Sequence, residues 1–471
     1  MAQPAIPLAR VLSATGGALV RGVDAAPFSS VAIDSRAVAP GALFFCVKGE
    51  RFDGHDFAAA AVAAGARGVV AERGRGGALA VPDALVIEVD EVMRALGALA
   101  AAHRAAMSKL SVVAITGSNG KTTTKEMTAA ILVSAAGSDA VLKTEGNLNN
   151  HLGVPLTLLR LHEGHRYAVV EMGMSGLGEI AYLTGLARPD VAAVVSIEGV
   201  HLEQLGSVEN VARAKAEIFG GLGPAGIAVV PRDEALLRPY LEGLAHMMTF
   251  GPRASRPTVG YDEVTPGPTG LTMRLHLTGV TSAVGVAAHV PLIGRHNAAN
   301  AAAAACIALA LEVGEGSILD GLANVRPAKH RAQLVRVGDR TVLDDCYNAA
   351  PASMRAALDA LVEVTPPGAQ KLALLGDMLE LGADSARLHR ELGGYAAARV
   401  DYLVTIGSAA RAIDEGARPI LSDARAFHTD EPRAAADQLR ALSRPGDVIL
   451  VKASRGMRLE RVIDALAEEQ P

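Results

Sequence analysis

Apolar residues in the middle of this chain come in short unbroken runs rather than in strict alternation. LSVVAITG, YAVVEMG, DVAAVVSI and GIAVVP are of strand length and rich in Val, Ile and Ala. A strand that is apolar on both faces belongs in a sheet covered on both sides. Segments with helical spacing lie between these runs, beginning with KTTTKEMTAAIL. Strands alternating with helices predict a parallel sheet. The stretch from TVGYDEVTPGPTGLTMRLHL to VAAHVPLIG breaks the rhythm and reads as a small antiparallel insertion. The Ala-rich run from Ala298 to Leu311 then reads as a buried helix. Further on, RTVLDD, KLALLGD, DYLVTIG and DVILVKAS predict a second, smaller doubly wound unit. Before the central block, SVAID, ALFFCV and RGVVAE are strand candidates, and DFAAAAVAAGA is a helix ending at a Gly. The pattern predicts an α/β chain of three domains: residues 1–109, 110–327 and 328–471, with Pro327 at a hinge.

Composition narrows this picture. A chain of 471 residues is too long for one ordinary domain. It has no Trp and few aromatics, so the core is expected to be Ala, Val and Leu. A net charge of −5 argues against a dominant nucleic-acid surface. Cys46, Cys306 and Cys346 lack metal-ligand spacing, and reduced thiols in a cytoplasmic protein are expected. MAQPAIPLARVLSATGG lacks the features of a secretory signal, and no stretch is long and apolar enough to span a bilayer, so no membrane insertion is expected.

Candidate chemistry centres on AITGSNGKTTTKEM, Ala114 to Met127. Gly120, Lys121 and Thr122 look like the end of a phosphate-binding loop, yet two residues rather than four separate Gly117 from the Gly-Lys pair. An apolar strand leads into a Gly-containing turn and then a helix. The first-turn N–H groups lack helical partners, and the helix dipole adds partial positive charge. Gly117 and Gly120 allow the backbone close to phosphate oxygens, Lys121 can offset phosphate charge and Thr122 can ligate Mg2+. The stretch from Thr116 through Ser118 and Asn119 to Thr123 is therefore the candidate ATP loop, against the plainer alternative of a capped Gly-rich turn. Ligands in open α/β sheets gather at the carboxyl ends of strands. Glu171, His201, Asp345, Asp377, Ser408, Lys452, Ser454 and Arg455 fall at such ends, suggesting two facing rims with a cleft between domains. Glu171 is a natural Mg2+ ligand, and His201 is either a second ligand or structural. By spacing alone, Lys215 reads as an ordinary solvated helical lysine able to pair with a nearby Glu.

Taken in order, TGSNGKTTTKEM, TEGNLNNHLGVPLTLL, EMGMSGLGEI, GVHLEQLGS, AKAEIF, GRHNAANAAAA, DDCYNAAPASM, LLGDMLELG and KASRGM resemble the Mur ligase family over nearly the whole chain. The Asn-rich stretch at Asn147, Asn149 and Asn150 is similar to the member that adds D-alanyl-D-alanine. The resemblance implies a UDP-binding domain, a central P-loop ATPase domain and a C-terminal Rossmann-like domain. It implies ATP-driven amide formation between UDP-N-acetylmuramoyl-tripeptide and D-alanyl-D-alanine, with one or two Mg2+ ions, in a cytoplasmic monomer making peptidoglycan precursors. Lys121 and Thr122 then match phosphate and Mg2+ binding, and Glu171 and His201 match metal coordination. Lys215 matches a lysine that can be carbamylated. Asn297 and Asn300, with His296 beside them, match adenine-side contacts, and Arg331 and Asp345 match nucleotide contacts from the domain junction. Ser35, Arg36 and His55 are expected near the uridine nucleotide, and the three Asn residues are grouped with that substrate. One departure stands out: Ala350 occupies a position where the family pattern has Asn, so any amide hydrogen bond there is absent. Rival readings are a folylpolyglutamate synthase-like ligase and a non-catalytic nucleotide-binding switch. The third peptide residue, diaminopimelate or lysine, is left open.

Overall fold

Alternation within each central run decides which core a side chain enters. In the strand Ser111–Thr116, Val112 and Ala114 join one hydrophobic cluster, while Val113 and Ile115 join another. Ala168 and Val170 divide from Val169 in Tyr167–Glu171, and Ala192 and Val194 divide from Val191 and Ala193 in Val191–Val194. Both faces are thus buried, which is why these strands are apolar throughout. The computed structural model describes residues 5–23, 26–279 and 284–468.

The central sheet has nine strands. Parallel pairing runs from Val141–Lys143 through Tyr167–Glu171, Ser111–Thr116, Val191–Val194, Ile227–Pro231 and His246–Pro252 to Val259–Gly267. Gly270–Leu277 and Val286–Val290 then add antiparallel. The segment expected to be an insertion is therefore the antiparallel edge of the main sheet. Its alternating Leu271, Met273, Leu275 and Leu277 enter the same core as Ala301 to Ala308 of the helix Asn297–Ala310, so the edge is held by packing as well as by pairing.

The N-terminal sheet has five strands, in the spatial order Ala18–Arg21, Leu85–Val89, Gly68–Glu72, Leu43–Phe45, Val31–Ala32, with only the first pair antiparallel. The helix Val92–Ala105 packs against Leu8–Thr15 on one side and against Gly153–Leu158 and Glu179–Ala187 of the central region on the other. One hydrophobic cluster consequently runs from Phe45 and Ile87 through Leu96 and Leu99 to Val112 and Val170.

The C-terminal sheet orders its strands Gln333–Val337, Arg340–Asp344, Val448–Lys452, Lys371–Gly376, Tyr402–Ile406, Ala426–Thr429. All pairs are parallel except the first, a hairpin. This sheet has a cluster of its own on each face, into which only Ile293 intrudes from the central region. The helix Pro351–Val364 starts after Ala350, where Ser353 Oγ takes the Ala350 N–H at 3.0 Å, so the local cap does not need an amide at position 350. The three cysteines are buried and unpaired, and no helix among the described residues is long and apolar enough to cross a membrane.

The helix Lys121–Ala136, which presents the Gly-Lys-Thr turn, is held along its length by Glu315–Ala323. Gly321 allows backbone contact between them: a methyl there would lie 2.3 Å from Ile131 Cα. Gly321→Ala is expected to lower stability by about 1–3 kcal/mol through overpacking. Chemical denaturation measures this, and an unchanged midpoint would mean the two helices separate at no cost.

Candidate active site

Only Gly117 to Gly120 lie between the strand Ser111–Thr116 and the helix beginning at Lys121. Gly120 has φ 79°, and a Cβ there would fall 2.3 Å from Asn300 Oδ1, so the turn requires glycine for conformation and for space. The segment following Val191–Val194 braces the turn from the side. Ser118 N–H donates to Ser196 O at 2.9 Å, and Asn119 N–H donates to Ser196 Oγ at 2.9 Å. Ser118 Oγ donates to Glu198 O at 2.9 Å, and the Asn119 amide donates to the Glu198 carboxylate. Ser118 and Asn119 side chains therefore shape the loop. Lys121 Nζ donates to Gly117 O at 2.6 Å and Ser118 O at 3.2 Å. Burial lowers its pKa, Glu171 opposes that shift and Arg331 adds to it. The Thr116 hydroxyl is buried without a hydrogen-bond partner among the described residues.

Glu171 ends the strand Tyr167–Glu171 and is 2% exposed. Its Oε1 accepts from Asn149 Nδ2 at 2.8 Å. Its Oε2 is buried with no hydrogen-bond partner among the described residues, and Lys125 Nζ lies 4.0 Å away. Lys125 is itself buried, donating to Thr144 O at 2.8 Å and pairing with Glu126 at 2.9 Å. An unpartnered carboxylate oxygen in a buried position is costly, and hard divalent cations take oxygen ligands. Glu171 Oε2 therefore has the chemistry of a Mg2+ ligand, and Thr122 lines the cleft on the same side.

His201 has φ 53° and precedes the short helix Leu202–Leu205. Its Nδ1 lies 2.5 Å from Glu380 Oε2 of the C-terminal domain. Burial holds its pKa below the usual imidazole range, Glu380 opposes this, and Lys215 and Lys121 deepen it. A neutral imidazole is the form that ligates metals. Lys215 sits in the helix Val208–Ala216, which Ser207 caps, and is 1% exposed. It has no hydrogen-bond or ion-pair partner among the described residues, so the spacing-based reading of a solvated, paired lysine is corrected. Its helix faces the central core at that position. Burial, with Lys121 nearby, drives its pKa well below the normal lysine value.

The facing rim belongs to the C-terminal domain. Arg331 lies over the ring of Tyr347, 4.2 Å from its centroid, and Arg455 lies 5.9 Å from the same ring. Residues beside Arg331 are tied down on both sides. His330 Nδ1 is 2.7 Å from Asp344 Oδ2, Tyr347 N–H donates to His330 O at 3.1 Å, and Ala332 N–H donates to Asp345 Oδ1 at 3.1 Å. Cys346 completes this hub, its thiol donating to Asp344 Oδ1 at 3.0 Å with a pKa pushed up by burial. Asp345 Oδ2 pairs with the buried Lys452 Nζ at 2.5 Å. The resulting cleft is lined by Ser118 to Thr123, His296, Asn297 and Asn300 on one side and by Arg331, Asp345 and Lys452 on the other. Asn297 Oδ1 accepts from Asn300 Nδ2 at 2.9 Å, and Asn300 in turn abuts Gly120.

The residues expected at the UDP-substrate are not gathered in one place. Asn149 serves Glu171, and Asn150 Oδ1 accepts from Gly153 N–H at 2.9 Å at the start of Gly153–Leu158, whereas Asn147 is exposed. The Asn-rich loop follows the edge strand Val141–Lys143, beside Tyr167–Glu171, and its proximity to the carboxylate explains this use. Ser35 opens a short turn in which Arg36, fully exposed, pairs with Asp34 at 2.7 Å; Arg36 lowers the Asp34 pKa to about 2. His55 is buried with both ring nitrogens committed, Nδ1 to Asp53 at 2.6 Å and Nε2 to the Glu72 N–H at 3.0 Å. It shapes a separate hollow lined by Asp56 and Arg75 and has no free ring nitrogen for a ligand. Four side chains escaped sequence reading: Lys125, Glu126, Glu198 and Glu380. Glu198 and Glu380 each follow a strand's carboxyl end, the same signal that marks Glu171. Nothing in spacing separates Lys125 from a solvated helical lysine.

Comparison with known proteins agrees across the chain. The Mur ligase family catalytic domain matches residues 27–104, the Mur ligase middle domain 115–308, and the Mur ligase glutamate ligase domain 330–455. The UDP-N-acetylmuramoyl-tripeptide–D-alanyl-D-alanine ligase of Escherichia coli is 38% identical over 452 residues, covering 93% of this chain and 94% of that protein. The crystal structure of MurF from Acinetobacter baumannii superposes with a TM-score of 0.89 at 33% identity, over the full length of both chains. The MurF ligase of Thermotoga maritima, solved in complex with ADP, gives 0.79 at 29% identity over 93% of this chain and 97% of that one. With three domain matches in sequence order and likeness across whole chains, this protein belongs to the Mur ligase family.

Proposed function

We propose that this chain is an ATP-dependent ligase that joins D-alanyl-D-alanine to UDP-N-acetylmuramoyl-tripeptide in peptidoglycan precursor synthesis. The observation that carries the reading is the buried, unpartnered Glu171 oxygen beside a Gly-Lys-Thr loop, in a protein whose cleft adds Arg331 and Asp345 from a second domain. On this reading, residues 1–109 hold the UDP end, residues 110–327 hold ATP, and residues 328–471 cover the reacting groups. The enzyme works as a cytoplasmic monomer.

A carboxylate resists amine attack because oxide is a very poor leaving group. Transfer of the γ-phosphoryl group from ATP to a carboxylate oxygen of the tripeptide gives an acyl phosphate and ADP. The amine of D-alanyl-D-alanine then adds to the carbonyl carbon, loses a proton, and the tetrahedral adduct expels phosphate. Lys121 Nζ, exchanging loop carbonyls for phosphate oxygens, offsets charge on the group in transit, and Arg331 approaches it from the other rim. Thr122 and Glu171, with His201 for a second ion, would hold Mg2+, which would supply charge neutralisation at the phosphates. Asn297 and Asn300, with His296, bound the adenine side. Seating of the C-terminal domain excludes water, which would otherwise hydrolyse the acyl phosphate. Burial favours the neutral amine of Lys215, the form that adds to CO2; addition with loss of a proton would give a carbamate, an anionic oxygen donor on the His201 side of the site.

Phosphate release with Mg2+ and ATP tests the reaction. Release is expected only when both UDP-N-acetylmuramoyl-tripeptide and D-alanyl-D-alanine are present, with a UDP-pentapeptide as product. Turnover with a folate and glutamate instead would favour the folylpolyglutamate synthase-like alternative, and slow ATP hydrolysis indifferent to peptide would favour a nucleotide switch. Lys121→Ala is expected to lower kcat by at least about 10²–10³-fold with an unchanged melting curve; a variant that still ligates would remove Lys121 from the chemistry. Bicarbonate-depleted buffer is expected to lower activity, with recovery on adding bicarbonate and a 13C-carbamate signal that Lys215→Ala abolishes. The depressed pKa keeps the amine neutral below the pH where a free lysine protonates, so the bicarbonate requirement should sharpen as pH falls through that lowered value. Full activity in CO2-free buffer with no carbamate signal would mean Lys215 acts unmodified.

A further inference from the structure

Two residues in the left-handed backbone region face each other across the domain boundary. His201 has φ 53° and Glu380 has φ 63°. For residues with a side chain beyond Cβ this region is disfavoured, and the surrounding structure must hold it. On the Glu380 side, Ser454 N–H donates to Asp377 O at 3.0 Å, Leu379 N–H donates to Ser454 Oγ at 2.9 Å, and Met378 N–H donates to His389 Nε2 at 2.9 Å. These bonds anchor the segment to the C-terminal sheet and its helix Ser385–Ala397. At Gly382 the same segment comes so near the central domain that a Cβ would lie 3.5 Å from Glu203 Cα. On the other side, His201 is three residues beyond Glu198, whose side chain grips Asn119 of the phosphate loop. The 2.5 Å contact between His201 Nδ1 and Glu380 Oε2 therefore joins an anchored segment of one domain to the brace of the loop in the other.

A carboxylate that accepts from Nδ1–H fixes the imidazole tautomer and directs the Nε2 lone pair, and such partners strengthen histidine ligands. That partner usually sits on the same rigid body as the histidine. Here it arrives on the domain that must seat. We infer that Glu380 is a positioning residue that completes His201 as a ligand only when the C-terminal domain is seated, so that metal binding and domain seating favour each other. The inference rests on the proposed role of His201 as a metal ligand. Linkage is reciprocal: if seating tightens metal binding, the metal must promote seating by the same factor.

A second cross-domain contact separates this effect from general loosening. Arg295, in the central domain, lies 3.4 Å from Glu363 in the helix Pro351–Val364, and it does not touch His201. Mn2+ binding to the full-length protein with ADP, followed by electron paramagnetic resonance, is the primary measurement. Glu380→Ala is expected to weaken the His201-dependent Mn2+ site by about 10–100-fold. Glu380→Gln should stay within a few-fold of the parent, because its amide oxygen still accepts from Nδ1–H. Glu363→Ala should cost a few-fold at most, because its partner Arg295 is largely solvent-exposed. Spin labels on the two domains should report that Mn2+ draws them together in the parent and not in Glu380→Ala. If His201→Ala weakens Mn2+ and Glu380→Ala does not, the inference fails while the ligand role stands. If His201→Ala leaves Mn2+ binding intact, the ligand role fails and the inference with it. If Glu363→Ala separates the spin-labelled domains and leaves Mn2+ binding unchanged, seating does not complete the site and the inference fails.

Discussion

Ionisable groups held where burial penalises their charge are the constraint around which this molecule is arranged. Lys121 and Lys215 each have a lowered pKa because of burial, and in each case a second cation nearby adds to the shift. Arg331 contributes to the same field from another domain. Against these stand Glu171 and Glu198, the first with an oxygen that no described residue satisfies. Uncompensated buried charge is among the most expensive features a fold can carry. On the proposed function, a polyphosphate with a divalent ion would supply anionic oxygens for Lys121 and a cation for Glu171. The free energy withheld from stability in this way becomes available for binding and for the transition state.

The rest of the architecture keeps those groups at strand tips and brings a second set to meet them. The central sheet is buried on both faces, so its strands are rigid and end at one rim. Glycine at 120 and 321 permits two close approaches, of Asn300 to the loop and of one helix backbone to another. The C-terminal sheet has separate cores, joined from the central region only by Ile293 among the described residues, and otherwise meets it through polar contacts such as His201–Glu380 and Arg295–Glu363. Polar contacts of this kind exchange readily with water, unlike a shared apolar core, which suits a body that has to seat and release.

Sequence reading recovered what periodicity and strand ends report. The alternation of apolar runs and helical segments identified the central and C-terminal sheets, since strands buried on both faces have a signature that needs no partner to be recognised. It did not show that Gly270–Leu277 and Val286–Val290 continue the main sheet, because pairing partners leave no local trace. Leu85–Val89 and Ala18–Arg21 were likewise unread: one follows a short loop, and the other is a half-exposed edge. At the site, position alone marks Lys121 and Glu171, while His201 draws attention from position but its ligand role comes from the family resemblance. Position does not mark Lys215, because burial of a helical lysine depends on what packs over it. In the structure Asn149 hydrogen-bonds Glu171, and His55 hydrogen-bonds Asp53 and the Glu72 N–H. Glu380 lies far from His201 along the chain, and only the tertiary arrangement joins them.

The continuous core between the N-terminal and central sheets bears on selection by size. Val92–Ala105 is packed from both directions, so no hinge intervenes between the hollow near His55 and the loop at Lys121. If one end of an elongated substrate is held at the first sheet and its carboxyl group must reach the second, the fused pair of sheets acts as a ruler. A peptide one residue short cannot stretch the protein to meet the phosphate, and one residue too long overshoots. Length discrimination of this kind comes from packing in a region that touches neither end of the substrate.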